Sequence, residues 1–201
     1  MKTARLISMI AAPLALAGCV APVGPVEVTR FHEPAAIGQL AQGTIAVVPA
    51  PGIEEEAGDS LEFASYRTAV ASELQGLGYR YVTSPNPAQV AELRIERIVY
   101  RPGRDGGPVT VGGGASTGSY GSGVGVGIGI DLSGPPPEQV TTEMQVMIRD
   151  RNSGRTLWEG RATFTVRADS PLAGTQLGAP KLAAALFRDF PGNNGETVEV
   201  R

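Results

Sequence analysis

Hydrophobic and polar positions alternate with period two, the strand period, along several stretches of this chain. The cleanest alternation places Val140, Thr142, Met144, Val146 and Ile148 on one face and Thr141, Glu143, Gln145 and Arg149 on the other. Asp150-Arg151-Asn152-Ser153-Gly154 then supplies turn chemistry. The return run sets Trp158, Gly160, Ala162, Phe164 and Val166 against Arg161, Thr163, Thr165 and Arg167. These residues predict an antiparallel hairpin with one wet face. Shorter runs at Val26–Phe31, Thr44–Val48, Tyr79–Thr83 and Glu92–Arg101 read as further strands, and Pro34 to Gly43 as a loop. Within the run 92–101, Leu93 and Ile95 share one parity while Ile98 and Tyr100 take the other. Either both faces are covered there or a bulge shifts the register.

Two stretches carry the helical period instead. Phe63, Tyr66, Val70, Leu74 and Leu77 recur at steps of three and four, predicting a helix over 60–77 that Asp59 or Ser60 caps and Gly78 ends. The acidic residues before it (Glu54, Glu55, Glu56 and Asp59) oppose the positive end of that helix, which is a simpler reading than a cation site. Pro180 suits the first turn of a second helix. Its stripe is Leu182, Leu186 and Phe190, broadened by Ala183 and Phe187, and Pro191-Gly192 ends it. Residues 168–179 read as a loop, and Thr197–Val200 as an extended end. The fold class expected is α/β (α+β): a two-layer, largely antiparallel sheet of about six strands with two helices on one face.

Glycine changes the picture in one place. Residues 103–134 hold 13 of the chain's 27 glycines. Gly103–Gly118 has no period and reads as a mobile loop. After it Gly121, Gly123, Gly125, Gly127 and Gly129 alternate with Ser122, Val124, Val126, Ile128 and Ile130, so the glycines share one face of a strand. Glycine weakens a strand and packs nothing, so five in register need a reason. A phosphate loop fails, because no Gly-x-Gly-x-x-Gly occurs and no lysine follows a glycine. Close approach by another surface, a half-buried hairpin arm with a bare outer face, and edge pairing between chains all remain. The half-buried arm asks least of the chain, and these five glycines are the candidate interaction surface.

The N-terminus carries the one stretch with a specific chemistry. Lys2 and Arg5 precede an apolar run from Leu6 to Ala17, which ends in Leu16-Ala17-Gly18-Cys19. The run has 12 residues, whereas a membrane-spanning helix needs roughly 20. A basic start, a short apolar centre and small residues form a secretory signal. Cleavage between Gly18 and Cys19 resembles the lipobox of bacterial lipoproteins, in which the cysteine carries acyl chains, palmitate among them. The expected organisation is a signal peptide over 1–18, a lipidated tether over 19–25 stiffened by Pro22 and Pro25, and a single periplasmic domain over 26–201. Val20 is not the Asp that, by analogy with known lipoproteins, retains them in the inner membrane. The outer membrane, periplasmic side, is the expected address.

Composition then excludes most chemistry. Loss of Lys2 and Arg5 takes the net charge from −3 to −5, and no basic run remains to suit a nucleic acid. Cys19 is the only cysteine and His32 the only histidine, so with Cys19 acylated neither a thiol nucleophile nor a histidine-based metal site is available. A Ser-His-Asp triad would need His32, which has no nucleophile elbow near it in sequence. Asp131, Glu138 and Glu143 are candidate acids only as any carboxylate is. Trp158, in phase with Phe164, reads as core and not as a ligand-stacking ring. No cofactor, metal or catalytic residue is expected.

Several segments together are similar to one family. They are the helix ending in Leu77-Gly78-Tyr79, the glycine-rich segment, the turn into Leu157-Trp158-Glu159-Gly160, and the closing helix before Pro191, all behind the lipobox at Cys19. In these the chain resembles the bacterial envelope lipoproteins catalogued as "domain of unknown function 4136". That family implies no catalytic residues to transfer. The expected function is a membrane-anchored structural or protein-interaction module, with the membrane and other envelope proteins as partners. The alternative is a carrier that holds a small apolar or lipid ligand between sheet and helices, which requires an apolar pocket of several hundred cubic ångströms.

Overall fold

The computed structural model describes residues 24–101, 109–118, 121–130 and 137–201, with only the backbone described for 109–118, 121–130, Glu55 and Glu56. The expected signal peptide, Gly18 and Cys19 lie outside the described residues. Nine strands are described: β1 (Val26–His32), β2 (Thr44–Pro49), β3 (Arg80–Tyr81), β4 (Gln89–Tyr100), β5 (Val109–Gly118), β6 (Gly121–Ile130), β7 (Gln139–Asp150), β8 (Thr156–Arg167) and β9 (Glu196–Val200). The helices are α1 (Glu55–Gly58), α2 (Leu61–Gly76) and α3 (Thr175–Phe187). Seven strands form one sheet in the order β3-β2-β4-β7-β8-β1-β9, and β5 pairs with β6 separately. Only β2 runs parallel to its neighbours, β3 and β4; the other pairs are antiparallel. The sheet thus has one strand more than the expected six, because the extended end pairs as β9, and the two-layer, mostly antiparallel class holds.

The alternating strands behave as their patterns require. All five even-numbered residues of β7 from Val140 to Ile148 are buried, as are Trp158, Gly160, Ala162, Phe164 and Val166 of β8. The opposite face is polar and held by cross-strand pairs, such as Thr141 with Thr165 at 2.9 Å and Arg161 with Glu143 at 3.1 Å.

Helix α2 starts where the cap chemistry places it: the Ser60 hydroxyl accepts from the Phe63 amide at 3.1 Å, so Ser60 and not Asp59 is the cap. Phe63, Tyr66, Val70 and Leu74 are buried as one stripe, and Gly78 takes φ +110° at the exit.

Helix α3 differs from expectation. It begins five residues before Pro180 and ends at Phe187, not Phe190. Pro180 therefore lies inside the helix, where it forfeits the bond to the Gln176 carbonyl. Burial of Gly178, Ala179, Leu182 and Ala183 on one side outweighs that loss. At its other end the buried Arg30 of β1 donates to the Leu186 and Ala185 carbonyls at 2.9 and 3.0 Å, placing a cation on the negative pole of the helix.

Three other expectations need correction. The loop over 34–43 contains a 3-10 helix at Pro34–Gln39, begun by a proline at its first turn. The strand at 79–83 shrinks to Arg80–Tyr81, because Tyr79 turns inward as a buried residue. The phase change in β4 comes from neither a second cover nor a bulge. Its register with β7 is unbroken from Gln89↔Asp150 to Tyr100↔Gln139. The strand simply outlasts the helix layer, and beyond Arg97 both of its faces are open.

The centre of the core is Trp158, fully buried, its ring lying across the bare α-carbon of Gly160. A Cβ on Gly160 would overlap that ring and come within 2.8 Å of Leu186 Cδ1. Phe187 stacks on Trp158 at 5.4 Å, Phe190 tilts against it at 5.1 Å, and the indole donates to the Pro191 carbonyl at 2.9 Å.

A second tie is polar. The Tyr79 hydroxyl donates to Gln89 Oε1 at 3.0 Å, and Gln89 Nε2 donates to the Gln39 carbonyl at 2.7 Å, joining the 3-10 helix to the sheet. Burial pushes the Tyr79 phenol up to about 12 from 10.0.

Two predictions test these contacts. Gly160→Val is expected to lower unfolding free energy in urea by at least about 1–3 kcal/mol, the range for overpacked cores. In alkali, the folded protein keeps the Tyr79 proton after the unfolded chain has lost it. Stability is therefore expected to fall as pH rises from about 10 to about 12, by up to about 3 kcal/mol. Tyr79→Phe is expected to remove that part of the alkaline loss while costing about 1 kcal/mol at neutral pH through the lost hydrogen bond.

Candidate interaction surface

The glycine segment is more regular than its sequence suggests. Its first half, expected to be a mobile loop, contains β5, so the segment is a ten-residue hairpin on both sides. The pairing runs from Val109↔Ile130 to Gly118↔Gly121 without a break. This register puts Val109, Val111, Gly113, Ala115 and Thr117 on the same face as Ile130, Ile128, Val126, Val124 and Ser122. The other face carries Thr110, Gly112, Gly114, Ser116 and Gly118 with Gly129, Gly127, Gly125, Gly123 and Gly121. The candidate residues Gly121, Gly123, Gly125, Gly127 and Gly129 therefore share one face of the hairpin. What hid β5 from the sequence is its triple glycine, Gly112-Gly113-Gly114, which interrupts the alternation.

Topology fixes where this hairpin leaves the domain. It joins the end of β4 to the start of β7, and Tyr100 pairs with Gln139 there. Gln139 also pairs with Arg167, the last residue of β8, and β8 runs antiparallel to β1. The end of β4, the start of β7, the end of β8 and the start of β1 thus share one end of the sheet. Helices α2 and α3 both begin at that end as well. Arg97 marks the junction: it pairs with Glu62 of α2 at 3.0 Å and donates to the Ala173 carbonyl just before α3, while Thr175 donates to the same Glu62 at 3.2 Å.

Large apolar side chains are exposed at this end. Leu61 is 88% exposed, Ile98 62%, Tyr100 60%, Leu177 54% and Val99 53%. Among the residues whose side chains are described, only Phe31 and Ile37 match them elsewhere. Three ion pairs lie at the same end: Arg97 with Glu62, Arg101 with Glu138 at 2.8 Å and Arg167 with Asp169 at 2.6 Å. The sequence held half of this signal, in the off-phase Ile98 and Tyr100. It gave no sign that Leu61 and Leu177 would stand beside them.

The remaining candidates do not converge. Glu138 is in the Arg101 pair, Glu143 faces Arg161 on the open sheet face, and Asp131 lies outside the described residues. His32 closes β1, with its Nδ1 buried and unpartnered and its backbone amide bonded to Asn194 Oδ1. Trp158 is core. No group of three or more metal-ligating side chains occurs among the described residues, and none of the described helices is long and apolar enough to cross a membrane.

The space between sheet and helices is filled by Trp158, Leu182, Leu186 and their neighbours. A recess of about 200 Å³ beside Phe63, Tyr66 and Ile95 is smaller than a ligand pocket. A wider groove of about 630 Å³ lies outside this core, between α2 and α3, lined by Ala64, Thr68, Ala69, Ser72, Ala179 and Pro180. It is an open trough between the helices and not a pocket between sheet and helices.

The comparisons with known proteins agree with the resemblance. The model of the family described as "Domain of unknown function (DUF4136)" matches residues 35–192, and the chain belongs to that family. An uncharacterized protein of Zymomonas mobilis subsp. mobilis is 25% identical over 219 residues, spanning 88% of this chain and 80% of that protein. Among solved structures, a PDZ domain protein from Parabacteroides distasonis is similar at 11% identity and TM-score 0.47. The match covers 88% of this chain, which spans only 39% of that one. A PelC dodecamer from Paraburkholderia phytofirmans is similar at 15% identity and TM-score 0.46, over 84% of this chain and 99% of that one.

The glycine face yields its own test. Gly125→Val with Gly127→Val is expected to leave the urea midpoint and the yield of folded protein nearly unchanged. A large loss in either would mean that another surface packs on the bare face.

Proposed function

We propose that this protein is an envelope lipoprotein that works as a structural or protein-interaction module, without catalysis. Its mature chain is one periplasmic domain, held on the periplasmic side of the outer membrane by acyl chains on Cys19. The observation that carries the reading is the run from Lys2 to Cys19, a basic start and a 12-residue apolar centre closing on Leu-Ala-Gly-Cys. Six residues then separate the cysteine from Val26, the first residue of β1. One acyl chain binds a bilayer only marginally, at about 0.8 kcal/mol per buried methylene, so a stable anchor needs more than one. The filled interior favours an interaction module over a carrier, because whatever the protein recognises must meet its surface. Cys19→Ser is expected to move the protein from the membrane to the soluble fraction of the envelope. Unchanged membrane retention would rule out an anchor at that residue.

A further inference from the structure

We infer that the end of the domain bearing Leu61, Ile98, Val99, Tyr100 and Leu177 rests on the bilayer surface, so that the protein lies against its membrane instead of hanging free on its tether. This rests on the lipid-anchor reading. Three observations carry it. The first is the position of the tether: β1 starts at this end, and the chain from Cys19 to Val26 reaches about 25 Å even when fully extended, at about 3.5 Å per residue. The anchored cysteine is therefore confined near this end and cannot present the opposite one, where β1 finishes and α3 meets Arg30.

The second observation is the distribution of exposed apolar side chains. Five of the seven large ones among the residues with described side chains are gathered here, from two helix starts and one strand end. Leu61 is the first residue of α2 and Leu177 the third of α3, positions that solvent would favour filling with polar residues. Clustered exposed apolar groups mark a surface that meets something apolar, and tyrosine suits the headgroup level in particular. The third is charge. Arg97, Arg101 and Arg167 at this end are paired with Glu62, Glu138 and Asp169, and exposed Glu96 beside Arg97 and Arg201 beside Val200 add one charge of each sign. Such a surface has no net attraction for anionic lipid. The bilayer it fits is zwitterionic, and contact comes from apolar side chains entering about 5–10 Å into the headgroup and acyl boundary.

The test uses the full acylated protein in vesicles of phosphatidylethanolamine and phosphatidylcholine. Leu61→Cys, Ile98→Cys and Leu177→Cys, each carrying a polarity-sensitive fluorophore, are compared with Ile37→Cys and Phe31→Cys at the other end. All five positions are exposed, and the acylated Cys19 does not react with the label. Blue-shifted emission at 61, 98 and 177, quenched by spin-labelled phosphatidylcholine and insensitive to salt, with water-like emission at 31 and 37, is the result expected. Water-like emission at all five positions in protein that stays on the vesicles would overturn the inference and leave the anchor intact. A blue shift that spin-labelled lipid does not quench would also overturn it, since a second copy of the chain would then cover this end. Failure of the anchor itself is read separately, from membrane retention of Cys19→Ser.

Discussion

The structure depends on a tryptophan seated where a side chain is missing. Trp158 can lie flat across β8 only because Gly160, two residues on and on the same face, offers nothing for it to strike. With the ring laid down, Phe187 and Leu186 of α3 reach the sheet, and Phe190 and Pro191 close over the indole. The glycine is a cost to the strand, but the contact it permits holds the C-terminal half of α3 on the sheet. Arg30 secures the same end of the helix by taking its last carbonyls. Aromatic packing sets how closely the helix approaches, and the buried cation fixes where it stops.

Fixing the far end of α3 also decides what the near end presents. Helices α2 and α3 lie side by side and both start beside Arg97, where Glu62, Thr175 and the Ala173 carbonyl meet. The sheet continues past them, so β4 ends with three apolar residues that no helix covers. Antiparallel pairing then brings the start of β1, the stem of the glycine hairpin and both helix starts to one end of the domain. The asymmetry of this surface therefore follows from strand order and helix direction. It is the physical basis for reading the domain as a body with a membrane side and a periplasmic side.

Much of this was legible in the sequence. The alternation in β7 and β8 and the stripe from Phe63 to Leu74 gave both face and partner layer, because one side of each element is buried and the other wet. Family membership was legible through Leu157-Trp158-Glu159-Gly160 and the helix ending at Gly78. The rest depended on tertiary partners. The first turns of α3 precede Pro180, and only burial of Gly178 and Ala179 makes a helix there worth the lost hydrogen bond. Strand β5 carries three consecutive glycines and is recognisable only beside β6. The exposed end was invisible for a simpler reason: Leu61, Ile98 and Leu177 lie far apart in the chain, and periodicity within one element cannot report that three elements stop at the same level.

The central claim is that this domain sits on its membrane with the tether end inward. Neutron reflectometry of the acylated protein on a supported phosphatidylethanolamine and phosphatidylcholine bilayer measures that arrangement as a density profile along the membrane normal. The account predicts protein density beginning within the headgroup layer, with strands such as the 12-residue β4 and β7 extending about 40 Å away from it. A water-filled layer approaching the tether's full length of about 25 Å between headgroups and protein would contradict it.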